Sequence, residues 1–232
     1  MSEQNTFGYS VGNSLSSALA TNRVLRNTFA LLALTMVPTV LGAWIGVTTG
    51  FSFFKSSPFM GMIVFLAVAF GFFWAIEKNK NSGTGVVLLF GFTFFMGLML
   101  TGLLTQTLQF RNGAQLIMMA FGATGLIFAG MATWAATSKS NFDGLGKFLF
   151  IGVILLILAS VANIFLSIPA LSLSIMVIAV GIFSAFILYD VKRVVNGGET
   201  NYVMATLSIY LNIYNVFSNL LALFGIFGGD RD

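Results

Sequence analysis

Asp190 stands apart from the other six acidic residues of this 232-residue chain. Glu3, Asp230 and Asp232 are terminal, and Glu77, Asp143 and Glu199 border polar breaks, whereas Asp190 directly follows the apolar run Ile178 to Tyr189. Downstream, Asn201, Ser208, Asn212, Asn215 and Asn219 recur at spacings of seven, four, three and four residues. On an α-helix that pattern lines one face for four to five turns. A carboxylate near a row of carboxamides can accept hydrogen bonds, titrate, or contact a passing cation. Little other chemistry is available, because the chain has no histidine and no cysteine. Thiol nucleophiles, disulfides, Cys/His metal sites and imidazole proton relays are excluded together, and no metal or cofactor site is expected.

The elements that must position these side chains are membrane-spanning helices. The sequence is 57% hydrophobic and 8% charged, with mean hydropathy +0.95. Apolar runs of spanning length cover residues 27–50, 59–76, 83–104, 114–136, 147–167, 170–190 and 201–227, and short breaks between them hold nearly all the charge. Only Ser167-Ile168-Pro169 separates the fifth run from the sixth. A single helix through both would overshoot a core of about 30 Å twofold, so a tight hairpin is expected. The reading is an all-α integral membrane protein of seven transmembrane helices. Residues 1–22 form a polar tail expected to be disordered and cytoplasmic, 23–229 one transmembrane domain, and 230–232 a short C-terminal tail.

Basic residues set the orientation. Arg23, Arg26, Lys78, Lys80, Lys139, Lys147, Lys192 and Arg193 flank one set of alternating loops, against Lys55, Arg111 and Arg231 on the other. That asymmetry places the N-terminus in the cytoplasm and the C-terminus outside. The +4 net charge therefore reports topology and gives no sign of nucleic-acid binding; the lipid bilayer is the partner it implies.

Small residues at four-residue spacing mark packing faces: Gly42, Gly46 and Gly50 in the first segment, Thr93, Gly97 and Thr101 in the third, Gly125, Ala129 and Thr133 in the fourth. The polar row of the seventh segment must look inward, which makes that helix central with six around it. The row reads either as interhelical glue or as the lining of a hydrated pathway. Asn196-Gly197-Gly198 reads as the end of the sixth helix and Thr200 as a cap for the seventh, so Asp190 lies about 9 Å inside the membrane mouth. Its candidate partners are Arg26, Lys192, Arg193 or the Asn212 face, with Glu77 at a similar depth. It reads either as an interfacial anchor or as a gating or proton-sensing carboxylate. The seventh segment lacks a Schiff-base lysine, and no second membrane acid is present for a paired-aspartate protease. No enzymatic activity is expected.

Ile187-Leu188-Tyr189-Asp190, the turn Asn196 to Tyr202, and Leu207 to Phe217 together resemble the Bax inhibitor-1 (transmembrane Bax inhibitor motif, TMBIM) family, in particular its bacterial YccA-type members. Arg23 to Thr28, Ala162 to Leu166 and Gly225 to Gly229 are similar to the same group. The resemblance implies six helices around a central seventh, a bacterial inner-membrane location, and a pH-sensitive Ca²⁺ leak gated by two aspartates. Asp190 falls on the sixth-helix aspartate and Asn212 on the seventh-helix one. Two carboxylates can share a proton, whereas Asp-Asn has one titratable group, so the resemblance implies weakened pH gating here. Asp190 and Asn212 would then be gate or ion-contact residues, with Ser208, Asn215 and Asn219 lining the route. YccA-type proteins also imply an alternative, a modulator or substrate of the FtsH quality-control protease engaged through the N-terminal tail, without conduction.

Overall fold

The computed structural model describes residues 3–51, 58–140 and 142–230, with the side chains of all of these except residues 3–20, 58, 59 and 143. Every element among them is helical: α1 (Glu3–Thr49), α2 (Pro58–Asn79), α3 (Gly83–Met99), α4 (Thr101–Thr107), α5 (Gly113–Thr137), α6 (Asp143–Leu166), α7 (Pro169–Val195) and α8 (Tyr202–Gly228). Seven spans result, because α3 and α4 form one crossing, Gly83–Thr107. At their junction Leu100 keeps helical angles, φ −69° and ψ −15°.

Residues 3–22 depart from expectation. The backbone is helical from Glu3 and runs without a break into the first span. No proline precedes Pro38, and once the apolar span has nucleated a helix, extending it costs little per residue even through polar sequence. Residues 1 and 2, Lys55, Arg231 and Asp232 lie outside the described residues.

The hairpin between α6 and α7 forms where the sequence places it. Ser167 takes the left-handed conformation, φ 53°, and Pro169 opens α7, where its missing N–H and fixed φ cost nothing. Asn163 ties the turn. Its Oδ1 accepts from Ile168 N at 3.0 Å and its Nδ2 donates to Ser172 Oγ at 2.6 Å.

α8 is the axis. It packs against α1, α2, α3, α4, α5 and α7, so five of the six other spans touch it directly. α6 is the exception: among the described residues it packs on α7 alone, and it turns Phe150, Leu155 and Phe165 outward. The first and third spans approach closely through their small residues. A Cβ added at Gly97 would collide with the Thr39 carbonyl, and one at Gly42 with the Phe94 carbonyl. The fourth span's stripe does not behave this way: Gly125, Ala129 and Thr133 are exposed, and nothing lies within 4 Å of a Cβ at Gly125. α5 instead buries Leu116, Ala120, Thr124 and Ala135. In lipid the large side chains need no shelter, and Met118, Phe121 and Leu126 are exposed while the buried face of α5 is itself built largely of small residues.

The two ends of the bundle differ. At one, Asn201 Nδ2 donates to Lys80 O and Asn81 Oδ1, and Lys192 Nζ donates to Ser138 O, which joins the α2–α3, α5–α6 and α7–α8 connections. At the other, Arg111 N donates to Asp230 O and Asn112 Nδ2 to Gly228 O. The eight basic residues of the richer set flank the first end.

Candidate functional site

The site is built by the antiparallel pair α7 and α8. Their connection turns at Gly197 (φ 74°), where a side chain would be strained. Asn201, rather than Thr200, caps α8: its Oδ1 accepts from Val203 N and Met204 N, both at 3.0 Å. This satisfies two of the orphan donors at the helix start. Asn201, expected at the head of the polar row, is thus committed to capping and to the α2–α3 turn.

With the connection fixed, Asp190 and Asn212 face each other. Asn212 Nδ2 donates to Asp190 Oδ2 at 2.8 Å, and the two residues are only 8% and 7% exposed. Ile187, one turn before Asp190 on α7, and Ile209, one turn before Asn212 on α8, are fully buried. A carboxylate enclosed by aliphatic side chains must be hydrogen-bonded to persist, and an amide donor from the neighbouring helix meets that need without a counter-charge.

None of the charged partners expected for Asp190 forms an ion pair with it among the described residues. Arg26 is exposed and forms no ion pair among the described residues. Glu77 pairs with Lys80 at 2.5 Å. Arg193 reaches Glu199 at 3.4 Å and lies 5.9 Å over the Tyr189 ring. Lys192 is buried and caps the last carbonyls of α5 through Ser138 O, a favourable place for a cation. The helical period turns Lys192 about 160° from Asp190 around α7, whereas Arg193, three residues on, lies on the Asp190 face and is drawn off by Glu199.

Farther along the row, Asn215 Nδ2 donates to Leu211 O and Asn219 Nδ2 to Asn215 O, each at 2.8 Å. Ser208 is half-buried. Two cavities open beyond Asn215, toward the end that carries Arg111. A cleft of 440 Å³ is lined by Ser160 and Asn163 of α6, Ser172 and Met176 of α7, and Asn219. A larger one of 700 Å³ lies between Gln106 and Gln109 on one side and Leu221 and Gly225 on the other, and shares Met176.

The opposite face of α8 carries polar contacts that the sequence reading missed. Thr206 Oγ1 donates to Tyr202 O of its own helix at 2.7 Å and stands 3.3 Å from Thr28 O of α1. Tyr210 Oη meets Thr39 Oγ1 at 2.9 Å and donates to Thr93 O at 3.4 Å. These bolt α8 to α1 and α3. The available signal was the spacing of Thr28, Thr35 and Thr39 at seven and four residues, matched by Thr206 and Tyr210 at four.

Residues 21–229 match the family described as inhibitor of apoptosis-promoting Bax1. The chain belongs to the Bax inhibitor-1 family. Among its relatives, a Vibrio cholerae membrane protein is 38% identical over 96% of this chain and 97% of its own length. The Escherichia coli K12 protein named modulator of FtsH protease YccA is 36% identical over 92% of this chain and 94% of its own. An Escherichia coli O6:H1 protein of the same identity and coverage is named inner membrane protein YccA. Of the segments quoted from the sequence, Ile187 to Asp190 and Leu207 to Phe217, Asp190 and Asn212 are the residues that meet at this site.

Proposed function

We propose that this Bax inhibitor-1 family protein is a cation leak pathway, for Ca²⁺ or H⁺, running along the α7-facing side of α8 and closed in the described state at Asp190–Asn212. The observation that carries the reading is the buried Asp190 carboxylate held by a neutral amide from the adjacent helix. Ionisable groups inside membrane bundles are costly and ordinarily mark ion routes. An amide tie can be exchanged for water or a cation without separating opposite charges. Asn215 and Asn219 support the same reading: each amide nitrogen is held by its own helix, which leaves Oδ1 to meet water or a cation. Ca²⁺ here is cargo. By the bias of basic residues, the Asp190 end faces the cytoplasm of a bacterial inner membrane.

A second reading rests on the named relative. A protein 36% identical over 94% of its length is named a modulator of FtsH protease, and the N-terminal stretch preceding the first span would contact such a protease from the cytoplasmic side. The two readings place function in different parts of the chain. Under the leak reading, Asp190→Asn changes ion flux while removal of residues 1–20 does not. Under the modulator reading, the truncation abolishes an effect on FtsH-dependent degradation of a membrane substrate and Asp190→Asn leaves that effect intact. Measuring both outputs for both variants decides between them.

A further inference from the structure

The proposed route is not uniformly polar. Along α7, Ser172, Met176, Ala179, Phe183, Ile187 and Asp190 follow one another at four, three, four, four and three residues, a single stripe on the helix. Ser172 and Met176 line the cavities. Asp190 meets Asn212. Because α7 and α8 run antiparallel, one turn back from that contact on α7 is level with one turn forward on α8. Ile187 therefore stands beside Asn215 and Val216, and Phe183 near Asn219. Ile187 and Val216 are fully buried, and Phe183 packs against the same core.

The cavities beyond this layer have the character of a wet space. The smaller one alone, at 440 Å³, exceeds the roughly 30 Å³ occupied by one water many times over. Ser160, Asn163, Ser172 and Asn219 give it polar partners, and Gln106 and Gln109 stand at the larger one. Water occupies such a space when two to four polar groups converge on it, and avoids an apolar one. Phe183 and Ile187 present only aliphatic and aromatic surface, and narrow apolar layers block ions by dewetting.

We propose that the bundle holds a one-sided aqueous vestibule for water and hydrated cations, reaching from the Gln106–Gln109 end to Asn219, and that the apolar layer of Phe183 and Ile187 is the barrier separating it from Asp190. This rests on the leak reading and deepens it by placing a second, apolar barrier in series with the Asp190–Asn212 closure, between that contact and the vestibule. Its hydration can be read without measuring any flux.

The absence of native cysteine makes substituted-cysteine accessibility clean. Single variants A222C, N219C, I187C and V216C in proteoliposomes are treated with a membrane-impermeant cationic thiosulfonate and, separately, with a lipid-soluble alkylmaleimide. A222C and N219C are expected to react with the cationic reagent at least about tenfold faster than I187C and V216C, a reactivity gap of the size that a change from water to apolar surroundings produces. In parallel, Ile187→Thr is expected to raise Ca²⁺ or H⁺ flux several-fold, while the apolar control Ile187→Val leaves it unchanged. N219C reacting no faster than I187C, or only with the maleimide, overturns the vestibule in favour of a dry or lipid-filled cleft. V216C and I187C reacting as fast as N219C overturn the barrier. The expected accessibility pattern with no flux from any variant upholds the vestibule and removes the leak reading alone.

Discussion

Asn212 on α8 donates its side-chain amide to the carboxylate of Asp190 on α7, 22 residues earlier, at 2.8 Å in the bundle interior. No ion pair completes the contact among the described residues, so its polar tie at this depth is one charge-assisted hydrogen bond.

Removing the donor alone leaves the acid enclosed. Asn212→Ala should destabilise the bundle by about 1.5–3 kcal/mol, the range for losing a hydrogen bond to a charged group. Asp190→Asn, which keeps an acceptor facing the amide, should cost less. Thermal unfolding in detergent, compared across the two variants, reads the difference.

Tyr210 bolts α8 to α1 and α3 on the face away from Asp190. Tyr210→Phe keeps the ring's packing against Phe92 and loses only the hydroxyl bonds, so a stability loss of about 1 kcal/mol is expected. Ion flux should be unaltered, because this face belongs to the frame and not to the proposed route.

The glycines of α3 and α5 should respond oppositely to alanine. At Gly97 the new methyl would strike the Thr39 backbone carbonyl, and forcing α1 and α3 apart should cost about 1–3 kcal/mol or more. At Gly125 it meets nothing, and the higher helix propensity of alanine should leave stability unchanged or slightly improved. Paired unfolding curves of G97A and G125A test this.

At the basic end, the hydrogen bond that Lys80 Nζ donates to Glu77 raises the Lys80 ammonium above its ordinary value. A raised folded-state value means that the contribution is complete below the unfolded lysine value and disappears only as pH climbs through the folded one, above about pH 10. Glu77 and Lys80 are both solvent-accessible, so screening makes the pair weak. Glu77→Gln should leave the unfolding midpoint unchanged between about pH 6 and 9 in ordinary salt, which a plate-based melting series checks.

Span number, the Pro169 hairpin and the central place of α8 were legible in the sequence because length, hydropathy and polar period are strong signals when lipid is the solvent. The meeting of Asp190 with Asn212 was legible as one option among several, and the structure selects it. What escaped was contextual. Thr206 and Tyr210 read as ordinary members of an apolar run, since a hydroxyl that bonds to a neighbouring helix looks no different in sequence from one that bonds to its own. The outward stripe of Gly125, Ala129 and Thr133 misled because small residues allow contact without requiring it. Asn201 satisfied the helical period of the row and was nonetheless taken by the helix terminus. The polar stretch before Thr21 lacks the composition of a stable helix, yet its backbone continues one that the first span has already nucleated.

The central claim is that the Asp190–Asn212 contact closes a cation route, and Ca²⁺ entry into proteoliposomes between about pH 5 and 8 tests it most directly. Wild type, Asp190→Asn and Asn212→Asp are compared, with folding verified for each. The account predicts a wild-type leak with shallow pH dependence, an altered leak in Asp190→Asn, and a steep pH response in Asn212→Asp, where two facing carboxyls titrate as a coupled pair. Flux no greater than that of protein-free liposomes in all three folded proteins would contradict it.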